Sequence, residues 1–458
     1  MKHFLFESLY QGGLWHNNVL IQTDQNGVIL SVTKPGEKKG QEKAAFIEGA
    51  FLPGFPNAHS HSFQYAMAGL AEYLAPGAQS DDFWSWRESM YRLALKVDPD
   101  SLAQISTCLY AEMLTQGICR VVEFHYLHHD KNGAEYEKQT AMCEALMEGA
   151  KIAGIQLTLV PVFYQNGDFS KQAATNQKRF LFQSVEKYFH FLAQLEAKKD
   201  PFTILGRGVH SLRAASRPQV IEILDPKTAS GPLHIHIAEQ QKEVEACLTH
   251  WGQRPVKWLF DHIPMSSRHN LVHATHLDKE ELLLLAKSSA RVVLCPSTEG
   301  NLGDGSFPLK EFLEARGDFA IGSDSHVGLS FAEELRWLDY QVRLLKQKRN
   351  VVCSEESQES GEVLFQNALK NGLLAAGQQE AGLVVGGYLD GFCLETKHPM
   401  LYKRPKEKWI SSMIYTHQPG AIKDVYVRGE RVVENGRHKK EDVIRKGYQK
   451  AIDRLSFF

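Results

Sequence analysis

The chain has 458 residues, about three times the usual ~150-residue domain, so one large barrel or two to three modules bound the architecture. Its 52 Lys and Arg against 54 Asp and Glu leave a formal net charge of −2, which withdraws the basic excess that nucleic-acid binding uses. No apolar run approaches the ~18 residues of a membrane span, and the opening MKHFLFESLYQ meets a glutamate before a signal-peptide core develops, so a cytoplasmic protein with neither nucleic acid nor membrane as partner is expected.

In chain order, residues 1–50 offer short strand-like pieces, FLFESLYQ, NNVLIQTD and GVILSV, separated by Gly and Asn turns. From 51 onward short apolar runs alternate with longer amphipathic stretches. The runs fall at 51–56, 119–126, 155–164, 203–211, 232–239, 270–276, 291–298 and 319–325. Their β-branched, near-continuous apolar character suits strands buried on both faces of a parallel sheet. Helix-like periodicity occupies 101–116, 134–153, 178–198, 241–250, 278–288 and 331–347; in the first, Leu102, Ile105, Leu109 and Met113 recur at helical spacing and Gly117 offers a stop. RLLKQKR at 343–349 reads as a solvated helix end and ESQESGE at 355–362 as a polar loop. After 382 strand-like patterning returns in GLVVGGYLDGFCLE and AIKDVYVRGERVVENGRH.

Eight strand–helix alternations predict an α/β fold, a (β/α)8 TIM barrel over residues 51–381, with a small β-sandwich module built from both termini, residues 1–50 and 382–458. A doubly wound open sheet ranks second, because no GxGxxG follows the first strand. Seven scattered cysteines without a CxxC pair point to reduced thiols rather than a disulfide framework or a thiolate zinc site.

The twenty histidines are where chemistry is to be sought. His59 and His61, two apart at the end of the first strand, share one face, so both imidazoles can address one ion. About one such HxH pair is expected by chance, and it is the position at a strand's C-terminal end, where barrel enzymes keep their sites, that gives this one weight. His236, His273 and Asp324 fall at the ends of later strands. Three imidazoles and a carboxylate suit a borderline divalent ion with a position left for water. By contrast His125, His128 and His129 read as loop histidines bonded to backbone, and His234 as a group of the barrel interior.

This set, PxxxHxH on strand one, a His on strands five and six and SDS on strand eight, resembles the amidohydrolase superfamily, and the closing V-x-V-x-G-x-x-V from Val425 to Val432 extends the likeness to the flanking β-module. The superfamily's two-metal members carry a carbamylated Lys on strand four, where this chain has Val209-His210-Ser211, so the resemblance implies a single metal, as in the aminohydrolase branch, whose HxxE signature matches His236 to Glu239. PNAHSHSFQYAMAGLAE, DDFWSWRESMYRL, VVEFHYLHHD, GVHSLRA, LHIHIAEQ and CPSTEGNLGDG further resemble the iminohydrolases of that branch that act on an N-formimino dicarboxylic amino acid.

The resemblance implies one Zn2+ per chain, with Fe2+ or Mn2+ accepted by the same ligands, held by His59, His61, His236 and Asp324. It implies hydrolysis of the formimino C=N group of N-formimino-L-glutamate to N-formyl-L-glutamate and ammonia, a step of histidine degradation. Asp324 takes the proton of the attacking water, Glu239 protonates the leaving nitrogen and His273 polarises the formimino group. Arg87 and Arg213 then meet the carboxylates of a small dicarboxylate substrate, and Gln64, Tyr126 and His210 complete the pocket. A homodimer is the expected assembly. Two other readings stand beside this one: a deaminase of guanine, a pterin or an S-adenosyl compound, which would want stacking side chains and amide readers in place of two arginines, and a catalytically dead barrel acting as a binding protein, which would be expected to have lost ligands.

Overall fold

In the computed structural model of the chain, residues 1–33, 44–74, 79–169, 171–228, 230–353, 357–378, 382–416 and 420–456 are described. Eight strands follow one another through a parallel sheet, which the two-residue strand Ile204–Leu205 joins beside the third: Phe55–Ser60, Ile118–His125, Gln156–Phe163, Arg207–Val209, Leu233–Ile237, His269–His273, Arg291–Leu294 and Phe319–Ile321. They are called strands one to eight below, and each pairs with its sequence neighbour. Every residue in them is buried, the signature of a sheet covered on both faces.

The sheet closes between strands eight and one. Ser60 bridges Asp324, and the amides of Ser323 and Asp324 both donate to the His59 carbonyl, at 3.1 and 3.0 Å. Gly322 permits this approach: a Cβ there would lie 2.6 Å from the His59 Cβ. The expected (β/α)8 barrel is therefore present, with the apolar runs as its staves.

Helix limits follow local capping. The helix expected over 101–116 occupies Pro99–Thr115, because Asp98 accepts from the Ser101 amide at 2.8 Å and Pro99 fits the first helical position. The periodicity at 178–198 becomes a helix only at Val185, after Ser184, which caps the Lys187 amide. Likewise the stretch from 134 turns helical at Ala141 and stops at Gly154, in the left-handed region. The helices at Gln241–Trp251, Lys279–Lys287 and Phe331–Lys346 match their expected spans within two residues. Part of 355–362 lies outside the described residues, and its end begins a helix, Ser360–Ala375, whose Asn367 accepts from the Phe319 amide at 3.0 Å.

The run read as the first barrel strand divides in two. Ala45–Pro53 joins the terminal sheet, pairing with Gly391–Leu394, and the barrel strand starts at Phe55. Terminal strands from both ends make one continuous eight-stranded sheet, and its Phe4, Phe6, Val19, Ile21, Phe51 and Tyr426 enclose a core separate from the barrel's. No helix among the described residues is long and apolar enough to cross a membrane.

Candidate active site

Strand one ends in Asn57-Ala58-His59-Ser60-His61, and its last residues are held by buried partners. Asn57 donates to Ser323 Oγ at 2.7 Å and accepts from the Ser323 amide at 3.0 Å, fastening strand one to strand eight. Glu123, wholly buried on strand two, accepts from Ser60 Oγ and the Ser62 amide, both at 2.7 Å, and from the Tyr110 hydroxyl at 3.0 Å. The sequence reading missed Glu123; a lone glutamate inside the apolar run VVEFHY was its signal.

On this frame four groups meet. His59 Nε2 lies 3.2 Å from His61 Nε2, 3.0 Å from His236 Nε2 and 3.5 Å from Asp324 Oδ1, and His61 Nε2 is 3.2 Å from that oxygen. All four residues are buried and their ligand atoms lie within 4.8 Å of one another. His61 Nδ1 donates to the Phe124 carbonyl at 2.8 Å, which fixes the tautomer and leaves Nε2 bare. Burial pushes the His59 imidazole down to about 3 and His236 well below its ordinary value, so both rings are neutral with lone pairs free. Burial alone would raise Asp324, but the adjoining His59 and His61 rings outweigh it and hold the carboxyl well below the usual range. Converging lone pairs around a carboxylate repel unless a cation lies among them, and three imidazoles with one carboxylate match a borderline divalent ion.

A second layer of acidic groups adjoins this cluster. His273 Nε2 lies 3.8 Å from Asp324 Oδ2 and 3.9 Å from Glu239 Oε1, while its Nδ1 is 3.2 Å from Glu299 Oε1. Burial would lower His273, but the Glu239, Glu299 and Asp324 carboxylates outweigh it and carry the imidazole up to about 10. Burial pushes Glu239 up to about 7, against the pull of the adjacent His273. Backbone strain concentrates here: Ala238, His273, Ala274 and Asp324 all have positive φ, from 48 to 69°. Glu299, on the helix Pro296–Leu302 after strand seven, is a second residue the sequence reading left out; its motif CPSTEGNLGDG was noted without its glutamate being assigned.

Beyond the cluster a cavity opens, lined by His61, His236, Glu239, His273 and Asp324 at its floor and by Arg87, Arg213, Gln64, Tyr126 and His210 on its walls. Arg87 stands on the helix Phe83–Ala94, started by the Asp82 capping box, and Arg213 on the short turn Leu212–Ala214 after strand four. Among the described residues neither guanidinium has a carboxylate within ion-pair distance, and the Nε of each is buried without a hydrogen-bond partner. Instead both face the Trp84 indole, Arg87 at 4.4 Å and Arg213 at 5.4 Å from its centroid. Trp84 is thus a platform for both guanidinium groups. Gln64 Nε2 donates to the Tyr126 hydroxyl at 2.9 Å, leaving Gln64 Oε1 unpartnered. His210 stacks edge-on to His236 with centroids 4.9 Å apart, and burial holds it well below its ordinary value.

Of the residues proposed for metal, acid–base and substrate contact, all but His59 line this one cavity, and His59 lies beneath its floor against His61 and His236. The other histidine group lies elsewhere: His125, the last residue of strand two, and His128 and His129 beyond it each point Nε2 at a backbone carbonyl, of Leu127, Val162 and Leu181, at 2.7–2.9 Å. His125 and His128 do approach Cys143, but the Arg179 guanidinium bears on both rings, which disfavours a cation there. His234 points Nε2 at the Ala375 carbonyl at 3.0 Å.

Comparison with known proteins adds four likenesses. A sequence model of the amidohydrolase family matches residues 50–432. The chain is 40% identical over 429 residues to a formimidoylglutamate deiminase of Pseudomonas aeruginosa, covering 93% of this chain and 94% of that protein. Among solved structures, an amidohydrolase from Brucella melitensis superposes with TM-score 0.91 at 38% identity, covering 99% of this chain and 100% of that one. An adenosine deaminase from Xanthomonas campestris, with bound zinc, shares the fold at TM-score 0.79 and 19% identity, covering 99% and 98%.

Proposed function

Because this chain belongs to the amidohydrolase family, we propose that its cavity hydrolyses the formimino group of N-formimino-L-glutamate, giving N-formyl-L-glutamate and ammonia. The observation that carries the substrate class is the pair Arg87 and Arg213, two buried or half-buried guanidinium groups without a carboxylate partner, facing one cavity. Their buried Nε donors have no acceptor among the described residues, and a dicarboxylate supplies acceptors for both groups. The near full-length likeness to the Pseudomonas deiminase supports the same substrate.

His59, His61, His236 and Asp324 would hold one zinc ion per chain, Fe2+ and Mn2+ being acceptable to the same ligands. When bound, such an ion lowers the pKa of a water to about 7 and so supplies hydroxide at neutral pH. Asp324 accepts the proton lost by the water that attacks the formimino carbon. Glu239, protonated below about pH 7, hands a proton to the departing nitrogen, so ammonia leaves in place of an amide anion. His273, between those two carboxylates, donates to the formimino group and compensates charge as the carbon becomes tetrahedral. Arg87 and Arg213 fix both substrate carboxylates, which brings the reacting carbon to the same place at each turnover. Gln64, Tyr126 and His210 complete the polar wall, and Phe83, Trp86, Tyr91 and Phe180 exclude bulk water.

The same reading extends to the protein's setting. We assign it to histidine degradation, to the cytoplasm and to a homodimer. Seven cysteines free of disulfides, six of them buried, support a reducing compartment. Exposed Trp337, Tyr340 and Leu344, one face of the helix Phe331–Lys346, support a subunit contact. The separate core of the terminal sheet supports a two-domain division into a terminal module and a barrel, with the first boundary at Gly54 in place of the expected 50/51, since Phe51 belongs to the terminal core.

The decisive experiment measures ammonia release by the zinc-loaded protein from N-formimino-L-glutamate, N-formimino-L-glutamine, guanine, a pterin and an S-adenosyl compound. Turnover of the first, with a marked loss on the glutamine analogue, is expected. Turnover of a purine and none of formimino-glutamate would refute the assignment, and inactivity on all of them with full metal loading would favour a binding protein.

A further inference from the structure

We propose that Glu299 is a positioning residue for catalysis, one that holds the His273 ring so that Nε2 faces the reacting group; the inference rests on the reaction assigned above. One oxygen, Oε1, lies 3.2 Å from His273 Nδ1 and accepts the Cys295 amide at 2.9 Å, so the carboxylate is anchored to the end of strand seven while it reaches the end of strand six. Both side chains are only 1% exposed. The other oxygen, Oε2, is buried without a hydrogen-bond partner. A carboxylate kept half-satisfied in the interior is a poor device for stability, since an unmade buried hydrogen bond costs about 1–3 kcal/mol.

Its bond to the Cys295 amide is one of several ties on this helix: Ser297 bonds Glu334 through its amide and its hydroxyl, and Thr298 Oγ1 lies 3.1 Å from Ser325 Oγ. What Glu299 controls is the ring opposite. His273 and Ala274 are consecutive non-glycine residues in the left-handed region, φ 69 and 49°, a conformation that persists where surrounding contacts over-determine it. The strained backbone aims the His273 Cβ into the mouth, and rotation about the ring bond is left to be fixed by a partner. Glu299 Oε1 is the nearest such partner, because the two other carboxylates stand 3.8 and 3.9 Å away on the Nε2 side. With Nδ1 turned onto Glu299, Nε2 faces the point between Glu239 and Asp324. A half-turn of the ring would remove it from both.

The test is a kinetic cycle in the full-length, zinc-loaded protein on N-formimino-L-glutamate. Glu299→Ala should lower kcat about 10–100-fold, the usual effect of deleting the acceptor behind a working imidazole, while KM and metal content hold. Glu299→Gln keeps an acceptor oxygen at the same reach and should recover most of kcat. Glu299→Asp, which preserves charge but withdraws the oxygen by a methylene, should fall with the alanine variant and serves in its place if alanine fails to fold. Combined with His273→Gln, neither Ala nor Asp should cost anything further, because the ring they act through is gone. A second loss of equal size in that background, a change confined to KM, or failure of Gln to recover kcat would overturn the proposal. Wild-type inactivity on this substrate would instead overturn the assigned reaction.

Discussion

Replacing Arg213 by methionine separates substrate recognition from folding. The residue is 6% exposed, so its interaction with a substrate carboxylate is weakly screened. A hydrogen bond to a charged group contributes about 1.5–3 kcal/mol, and a bidentate contact more, so a loss of roughly 3–4 kcal/mol is expected. At 1.4 kcal/mol per tenfold, kcat/KM on N-formimino-L-glutamate should fall about 10²–10³-fold. Arg87 is only half-buried, and the same change there should cost about tenfold, screening having discounted the charge. Folding should respond differently. Arg213 has no ion pair to lose, and the attraction of Glu243 that holds its pKa up, against burial, is offset by the desolvation that an uncharged thioether side chain would no longer incur. Tm should therefore move by no more than a degree or two. Steady-state ammonia release and a thermal melt on the same preparation make the check, and N-formimino-L-glutamine shows which arginine serves the distal carboxylate, because that arginine's variant loses nothing further on it. Unchanged kcat/KM, or a loss that tracks a collapse in Tm, would refute the clamp.

Three further outcomes are expected. Glu239→Gln should keep its metal and bind substrate yet lose about 10²–10⁴-fold in kcat. Because the carboxyl is raised to about 7, it carries its proton below that pH, so wild-type kcat should decline as pH rises through it, and the glutamine variant should lack that limb. Chelation should abolish turnover and lower Tm, since an ion held at 1,000 times its Kd contributes about 4 kcal/mol to the folded state; metal analysis after reconstitution should give one ion per chain. His128→Gln should lower Tm by severing the bond to the Val162 carbonyl but leave metal content and kcat near wild type; a loss of metal would place a second ion in that cluster.

The staves of the barrel were legible because both faces of each are buried, which writes near-continuous apolar runs into the sequence. Ligand positions were legible for a related reason: a histidine or aspartate ending such a run is conspicuous. The 51–56 run misled because Pro53-Gly54 separates two strands that are apolar for different cores, one terminal and one in the barrel. Glu123 and Glu299 were not assigned because their partners are distant in sequence: a buried glutamate's use depends on which donors the fold delivers, and no spacing rule joins Glu299 to a ring 26 residues earlier. Trp84 was half-legible. Its contact with Arg87 is an i, i+3 pair on one helix, whereas the approach of Arg213 from the turn after strand four is a tertiary fact.

The metal cluster and the barrel's closure are one structure. Strand eight meets strand one through Ser323 and Asp324 donating to the His59 carbonyl and His61 donating to the Asp324 carbonyl, so three of the four ligand residues also make the seam's backbone bonds. A cation that draws those side chains together thereby draws together the first and last staves. The Asn57–Ser323 bonds and the glycine at 322 permit closure by backbone alone, but the converging imidazole lone pairs oppose it until positive charge is present. Metal binding should therefore tighten the strand eight–strand one seam more than any other pair of strands. Amide hydrogen exchange with and without the ion measures this directly: added protection centred on residues 59–61 and 322–324 is the expected pattern, and protection spread evenly around the barrel would show that the ion stabilises without closing.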